Sequence, residues 1–278
     1  MRRPHPQAVL AAALLALGLG LPAATAHAAG AEAVDHSALR VCADPNDLPF
    51  SNDKGEGFEN RIAELVAAEL GVPVRYTWYP DAPGLVRNTL NARLCDLIIG
   101  TISGSEMVQN TNPYYRSTFA LVYRTDAGLS LSSLDDPALQ TLSIGVVAGT
   151  PPATLMARRG LLGHMHSYAL VADTRYQHPA QDLVHDVAAG KIDVGVVWGP
   201  IAGYFGRREN PPLAVVPLAA QSGPIRLDYR ITMGVRHNEP EWKHQIDRII
   251  LKKQKEIDRI LLDYGVPLLD EQGKPIGP

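Results

Sequence analysis

Polar and aromatic side chains follow the predicted strands of this sequence, at the positions where an α/β protein builds its binding site. They are Asp44, Asn46 and Phe50 after the first strand, Trp78 and Tyr79 after the second, Thr101 and Ser103 after the third, and Thr150 and Trp198 in the second half of the chain. Open α/β sheets bind ligands outside the carboxyl ends of their strands. Because aromatic and neutral polar groups dominate this set, we expect a cleft for an apolar or weakly polar ligand, or for a protruding part of a protein partner.

Some of these candidates have a plain structural alternative. Trp78 and Trp198 are large enough to serve only as packing between two parts of the fold. Thr150 precedes Pro151, which is the arrangement of a helix N-cap followed by proline at the first helical position. An exposed helix N-terminus attracts anions, but ordinary capping explains this pair equally well.

Motifs that indicate catalysis are missing from the sequence. It contains no Gly-x-Ser-x-Gly, His-Glu-x-x-His, P-loop or Gly-x-Gly-x-x-Gly string. The pair His164 and His166, and the oxygen-rich segment at residues 44–53, hold residue types that ligate metals, but that segment lacks the spacing of an EF-hand loop. We therefore predict a binding protein rather than an enzyme, with no cofactor and no metal site.

The elements that carry these side chains alternate between strands and helices. Strands are predicted at residues 39–43, 74–78, 97–100, 118–123, 142–147, 167–171, 194–198, 214–218 and 229–235, and helices at residues 58–70, 85–92, 153–159, 180–189 and 239–264. Residues 112–115 are predicted to belong to a loop. This alternation predicts an α/β fold, and the last, long helix is expected to pack back on the first part of the chain.

The N-terminus has the features of a secretory signal peptide. Arg2 and Arg3 precede an apolar run over residues 8–21, and small residues follow, so cleavage is expected after Ala26 or Ala28. An uncleaved anchor is the alternative, but the run is shorter than the ~20 residues that span a bilayer. Removal of residues 1–28 takes the formal net charge from −3 to −5, which weighs against a nucleic-acid partner. We expect a periplasmic protein.

Cys42 and Cys95 are the two cysteines of the sequence. In an oxidising compartment an even number favours pairing, so a Cys42–Cys95 disulfide is predicted. The first and third strands lie side by side in the common doubly wound order, which would make these two residues neighbours. The chain-entropy account gives such a disulfide roughly 4 kcal/mol of stabilisation.

Several strings together resemble the type II periplasmic substrate-binding proteins. They lie at residues 39–50, 57–60, 95–101, 113–115, 144–150 and 190–194. The resemblance implies two doubly wound α/β lobes that close on a ligand about a two-strand hinge. It places lobe I at residues 38–124 plus 226–278 and lobe II at residues 125–225.

Residues 40–52 and 76–80, with residues 86–90 downstream, resemble the quinoprotein-dehydrogenase-associated branch of that family. This branch includes the J proteins of methanol oxidation. The resemblance implies a periplasmic accessory protein whose partner is a PQQ-dependent alcohol dehydrogenase, with lanthanide-dependent enzymes among the candidates, and which aids its activation or maturation. The alternative is a receptor that delivers a small molecule other than an amino acid to an ABC transporter.

Two positions depart from the pattern of the amino-acid-binding relatives. Those relatives clamp the ligand's carboxylate with an arginine where this chain has Met107, and hold its amino group with an aspartate where this chain has Trp198. A buried zwitterion without either partner would lose several kcal/mol of binding energy. An ordinary amino-acid carrier is therefore disfavoured.

Overall fold

The computed structural model describes residues 34–219, 221–222 and 224–276. The signal peptide predicted for residues 1–28 lies outside them. The first part of the chain alternates strands and helices: β1 (Leu39–Ala43), β2 (Asn46–Asp47), β3 (Ser51–Asn52), α1 (Phe58–Leu70), β4 (Val74–Trp78), α2 (Leu85–Asn88), β5 (Leu97–Ile102) and β6 (Gln109–Arg124). β1 pairs in parallel with both β4 and β5, so the first and third strands of the predicted unit are neighbours.

The second part repeats the alternation and then returns to the first sheet. It contains β7 (Ile144–Val147), α3 (Pro151–Arg158), β8 (Met165–Tyr168), α4 (Pro179–Ala188), β9 (Val194–Trp198), α5 (Gly199–Gly206), β10 (Leu213–Pro217), β11 (Gln221–Ser222), β12 (Ile225–Arg226), β13 (Asp228–Val235), α6 (Pro240–Asp263), β14 (Leu268–Leu269) and β15 (Pro275–Ile276). Two 3₁₀ turns, Pro137–Gln140 and Leu162–His164, flank β7 and α3. The main strand order is β4-β1-β5-β13-β6-β9-β7-β8.

β6 belongs to both lobes. Its first half, Gln109 to Thr118, pairs antiparallel with β13 in the first lobe, whereas Phe119 to Tyr123 pair with β9 in the second. Asp228, at the start of β13, is 1% exposed and forms ion pairs with Arg116 and Arg226. This pair of strands, β6 and β13, is the connection between the lobes.

The core of the first lobe follows from helical spacing of apolar residues. Ile62 and Val66 of α1 are fully buried against β1 and β5, together with Ile246, Ile250 and Ile257 of α6. Full burial of each such side chain stabilises the fold by roughly 1.5–3 kcal/mol. The prediction that the last helix packs back on the first lobe is confirmed.

Three predicted elements need correction. Residues 112–115 are not a loop but part of β6, where register shifts in the pairing with β13 accommodate Pro113, which has no N–H to donate. The helix predicted to reach residue 92 ends at Asn88, and the strand predicted at residues 167–171 lies at Met165–Tyr168. A helix at Gly199–Gly206 was not predicted, because its glycines and proline do not show a helical pattern.

The predicted disulfide between Cys42 and Cys95 is confirmed. Cys42 lies in β1, and Cys95 lies two residues before the start of β5. Their Cα atoms are 5.5 Å apart, and both cysteines are buried. Beside it, the carboxylate of Asp96 is paired with Arg40 and Arg236, and its backbone carbonyl accepts a hydrogen bond from Trp242 Nε1. These contacts tie α6 to the amino end of β5, away from the carboxyl ends of the strands.

Candidate functional site

A cavity of about 470 Å³ lies between the two lobes at the carboxyl ends of the strands. The first lobe contributes the loops after β1 and β4, the start of α1 and the end of β5. The second contributes the ends of β7 and β9, residues of the segment 169–181, and α5. This volume is within the range of small-molecule sites.

The structure brings five of the nine predicted site residues to this cavity, namely Asp44, Phe50, Thr101, Thr150 and Trp198. The other four lie outside its lining. Asn46 is exposed and contacts the second lobe, Trp78 stacks on Tyr76 with a centroid distance of 4.4 Å, the Tyr79 hydroxyl accepts a hydrogen bond from Asn88, and Ser103 is exposed.

Thr150 occupies the N-cap position of α3 before Pro151, as predicted, but its side chain does not cap the helix. Its hydroxyl instead donates to the carbonyl of Val147 at 2.7 Å. The side chain is therefore already used to close the turn after β7.

Aromatic side chains form one wall of the cavity. We call this the aromatic wall, and it consists of Phe119, Trp198, Phe205 and Tyr229. The half-buried Trp198 ring packs edge-on against Phe119 at 5.3 Å and against Tyr229 at 5.9 Å between centroids. Trp198 thus lines the cavity and also packs between the lobes, so it combines the cleft position and the packing position considered for it from the sequence.

Carboxyl groups form a second part of the lining, and three of its four members were not among the predicted cleft residues. We call this the acidic wall, which consists of Asp44, Asp47, Glu59 and Asp81, all from the first lobe. Burial, with contributions from Asp81 and Asp44, raises the pKa of Glu59 to about 8. Burial, followed by the charges of Asp81, Asp44 and Glu59, raises the pKa of Asp47 well above its usual value.

Asp81 lies nearest to the solvent of these carboxyl groups. Its side chain is exposed to the water of the cleft, yet surrounding protein atoms and the charge of Asp44 raise its pKa. Asp44 is buried and well bonded: its carboxylate accepts hydrogen bonds from the backbone N–H groups of Asn46 and Asp81.

Two glycines allow Glu59 to reach the cavity. A Cβ at Gly57 would lie 2.0 Å from the backbone oxygen of Phe50, so only glycine fits where the loop meets the start of α1. A Cβ at Gly100 would lie 2.1 Å from Glu59 Oε1, so the carboxyl occupies the space that a side chain on β5 would otherwise fill. A strand glycine often marks such a close approach.

The described lining of the cavity contains no lysine or arginine, and its one histidine is His178. Met107, which the sequence resemblance predicts to stand where the amino-acid carriers have their carboxylate-binding arginine, is 65% exposed and lies outside the lining. The described part of the cleft thus offers no guanidinium or ammonium group to a ligand carboxylate.

Side chains from the two lobes meet at the cleft edge. Thr174 donates its hydroxyl hydrogen to Asp44 Oδ2 at 2.6 Å, and Asn46 Nδ2 donates to the Thr174 carbonyl at 3.0 Å and lies 3.2 Å from His178 Nε2. We call these contacts the latch. They bridge the two lobes at this edge of the cleft.

No group of three or more histidine, cysteine, aspartate or glutamate side chains is placed to hold a metal ion in the part of the chain that the structure describes. Helices in the same part are too short or too polar to cross a membrane.

Comparison with known proteins identifies the family. A profile of the bacterial extracellular solute-binding proteins, family 3, matches residues 39–266. The chain belongs to this family. The type II periplasmic binding protein fold predicted from the sequence is thereby confirmed.

Relatives within this family carry the names of J proteins. Protein MoxJ of Methylorubrum extorquens is 34% identical over 260 residues, which are 88% of this chain and 86% of that protein. The crystal structure of periplasmic binding protein XoxJ from Methylobacterium extorquens AM1 is 43% identical, with a TM-score of 0.72, and the match covers 84% of this chain and all of that one. MxaJ from Methlophaga aminisulfidivorans MPT is 27% identical, with a TM-score of 0.71 over 83% of this chain and all of that one. The resemblance to the J-protein branch is confirmed.

Proposed function

We propose that this protein acts in the periplasm by binding, as an accessory protein of a PQQ-dependent methanol or alcohol dehydrogenase that it helps to activate or mature. Its likeness to MoxJ and XoxJ supports the proposal. The observation that carries it is the missing carboxylate clamp: the described cleft lining has no lysine or arginine, so the site does not suit the zwitterions that amino-acid carriers bind. A family fold without that clamp is free for another binding role.

The edge of the cleft offers a surface for the partner enzyme. Leu170, Val171 and Tyr176, between β8 and α4, are 60%, 59% and 78% exposed. They flank Thr174 of the latch, and Leu170 also lines the cavity. Exposed apolar groups clustered at a cleft are typical of an interaction surface, and tyrosine is favoured as an anchor. The dehydrogenase is therefore proposed to dock at this edge of the cleft.

Pull-down of the purified dehydrogenase from the same organism tests the docking. We expect Val171→Ser combined with Tyr176→Ala to weaken binding roughly tenfold or more, the loss typical of interface anchors. Leu251→Ser is the matched control, because Leu251 is 81% exposed on α6 and does not line the cleft. Equal recovery of the dehydrogenase by the double variant and the control would reject docking at the cleft edge.

A solute receptor for an ABC transporter is the second candidate function. The cavity of about 470 Å³ between the lobes favours it, because this is the size of a small-molecule site and a protein that only docks a partner needs no such cavity. A receptor would gain thermal stability with its solute, about 2.7 kcal/mol at 100-fold over Kd, and would bind no dehydrogenase.

A further inference from the structure

We propose that the cleft binds an organic cation, a protonated amine or quaternary ammonium group, whose charge is held by the acidic wall and whose apolar part lies against the aromatic wall. The inference rests on the proposed function only in taking the cleft as the binding site. It goes beyond the proposed function by naming the ligand chemistry: a cation without the carboxylate that amino acids carry.

The acidic wall lacks partners within the protein. The side chains of Asp47 and Glu59 line the cavity and make no hydrogen bond or ion pair with any described residue, although protein atoms enclose both deeply enough to raise their pKa values. Unpaired enclosed carboxyl groups cost free energy, and a bound cation removes that cost. Two such groups in one cavity indicate that the missing partner is a ligand.

The charges around Glu59 all have the same sign or are neutral. In addition to burial, Asp81 and Asp44 raise the pKa of Glu59 from the loops after β4 and β1, and Glu59 in turn adds to the raised pKa of Asp47. The other groups that Glu59 affects are the phenols of Tyr76, Tyr114 and Tyr115 on β4 and β6, whose pKa values burial and the charge of Glu59 raise. The described lining adds no lysine or arginine to balance them. An anion would be repelled, and a zwitterion would leave its carboxylate beside these groups.

The aromatic wall selects an organic cation over an inorganic one. Trp198, Phe119 and Tyr229 form a continuous cluster among the residues that line the cavity, and the face of such a ring attracts an alkylammonium group through its quadrupole. The described carboxyl groups do not come together as a metal site. The cleft thus matches a cation that carries apolar surface.

Calorimetry with pairs of equal shape but different charge tests the proposal. The probes are choline against 3,3-dimethylbutan-1-ol and pentylamine against pentanol. A separate comparison uses N-acetyl-lysine methylamide and lysine, which have the same net charge but of which lysine carries a free carboxylate that should weaken binding. We expect the cation of at least one pair to bind roughly tenfold or more tightly than its neutral counterpart. Binding at neutral pH should also release protons, seen as a dependence of the heat on the buffer, because Glu59 must ionise beside the cation.

Substitutions locate the charge that the ligand meets. Glu59→Gln should weaken the binding of the cation roughly tenfold and abolish most of the proton release. Glu64 is an exposed carboxyl group on the same helix, so Glu64→Gln should change neither. Gly100→Ala keeps every charge but displaces the Glu59 carboxyl from β5, and it should weaken binding as well. Loss of binding in this variant without loss of folding would point to the carboxyl position itself.

Competition with the dehydrogenase distinguishes two sources of the cation. If the dehydrogenase displaces the bound probe, the cation is a lysine or arginine side chain of the partner; if the probe stays bound, it is a free amine or ammonium compound. Failed docking with intact probe binding would reject the proposed function and keep this inference. Neutral probes that bind as tightly as cations, no binding of any cation at millimolar concentration, or binding of Ca²⁺ instead would overturn the inference.

Discussion

Glu59 is the side chain on which the proposed cation binding most depends. It follows Gly57 in the first turn of α1, where the helix dipole favours the ionised form. Burial and the neighbouring carboxylates outweigh the dipole and raise its pKa to about 8. At neutral pH the carboxyl of the empty protein is therefore mostly protonated, and its charge appears only when a cation arrives.

Stability of the empty protein should fall as the pH rises because of this group. In the unfolded chain Glu59 ionises near its ordinary value of about 4.3, whereas in the folded protein it stays protonated up to about pH 8. Its contribution to folding is fully present below the unfolded pKa and is lost as the pH rises through the folded one. We expect Glu59→Gln to raise the free energy of unfolding by at least on the order of 1 kcal/mol at about pH 8 and to change it little at about pH 4.

Urea denaturation at several pH values measures this effect, with Glu64→Gln as the control on the exposed face of α1. If Glu59→Gln changed the free energy of unfolding equally at acidic and alkaline pH, the assigned protonation state of Glu59 would be contradicted.

The sequence predicted part of the site because strand ends are recognisable. Asp44 directly follows a clear β-rich run and Trp198 is the last residue of another, and both line the cavity. The convergence of Asp47, Glu59 and Asp81 was missed because they come from three separate segments. Asp47 lies in the oxygen-rich segment 44–53, Glu59 in the family string 57–60 and Asp81 in no motif. Asp81 follows β4 closely enough to have been suspected, but Glu59 depends on the close approach to Gly100, which only the folded chain reveals.

At the scale of elements, α5 is placed by a contact between two glycines. A Cβ at Gly203 would lie 1.9 Å from the backbone oxygen of Gly265, the turn residue that follows α6. Close by, Tyr204 stacks on Tyr264 at 5.7 Å, and Arg207 donates to the carbonyl of Asp263 at 2.8 Å. Helix α5 of the second lobe thus rests on the end of α6 from the first.

Substitution of Gly203 should therefore be costly. The obstructing atom is backbone, and Gly265 adopts a positive φ of 79°, so neither side can yield easily. We expect Gly203→Ala to destabilise the fold by about 1–3 kcal/mol, measured as a lower thermal midpoint. Gly163→Ala is the matched control because open space surrounds that residue. Equal midpoints for the two variants would show that α5 is not held by this contact.

Most elements were predictable from local signals, and the failures have physical causes. The bounds of β1, α1 and β4 match the prediction, since Gly71 and Pro73 end α1 and the apolar spacing defines its buried face. The Asn-Pro-Tyr-Tyr segment was misjudged as a loop because proline usually interrupts strands, whereas here a bulged pairing with β13 keeps it inside β6. Tertiary pairing, not local sequence, decided that element.

For the whole molecule, closure depends on the latch. Its central bond is the one from the Thr174 hydroxyl to Asp44 Oδ2. Thr174→Val removes the donor with little change in shape, so the closed form should lose on the order of 1 kcal/mol relative to the open one. Small-angle scattering of the ligand-free protein should then give a larger radius of gyration than that of the exposed control Thr154→Val. Identical scattering of both variants would mean that the latch does not govern closure.

The latch also sets how the protein would meet a charged ligand in solution. When Thr174 moves away, Asp44 Oδ2 keeps only the bond from Asp81 N–H, and water reaches the acidic wall. This removes the burial that holds Glu59 protonated, so its carboxyl group can ionise toward the widened opening. An open cleft lined by one sign of charge focuses its field outward and draws oppositely charged molecules in. Capture would then be fast at low ionic strength and slow in salt, whereas escape from the closed form would depend on the rate at which the lobes part.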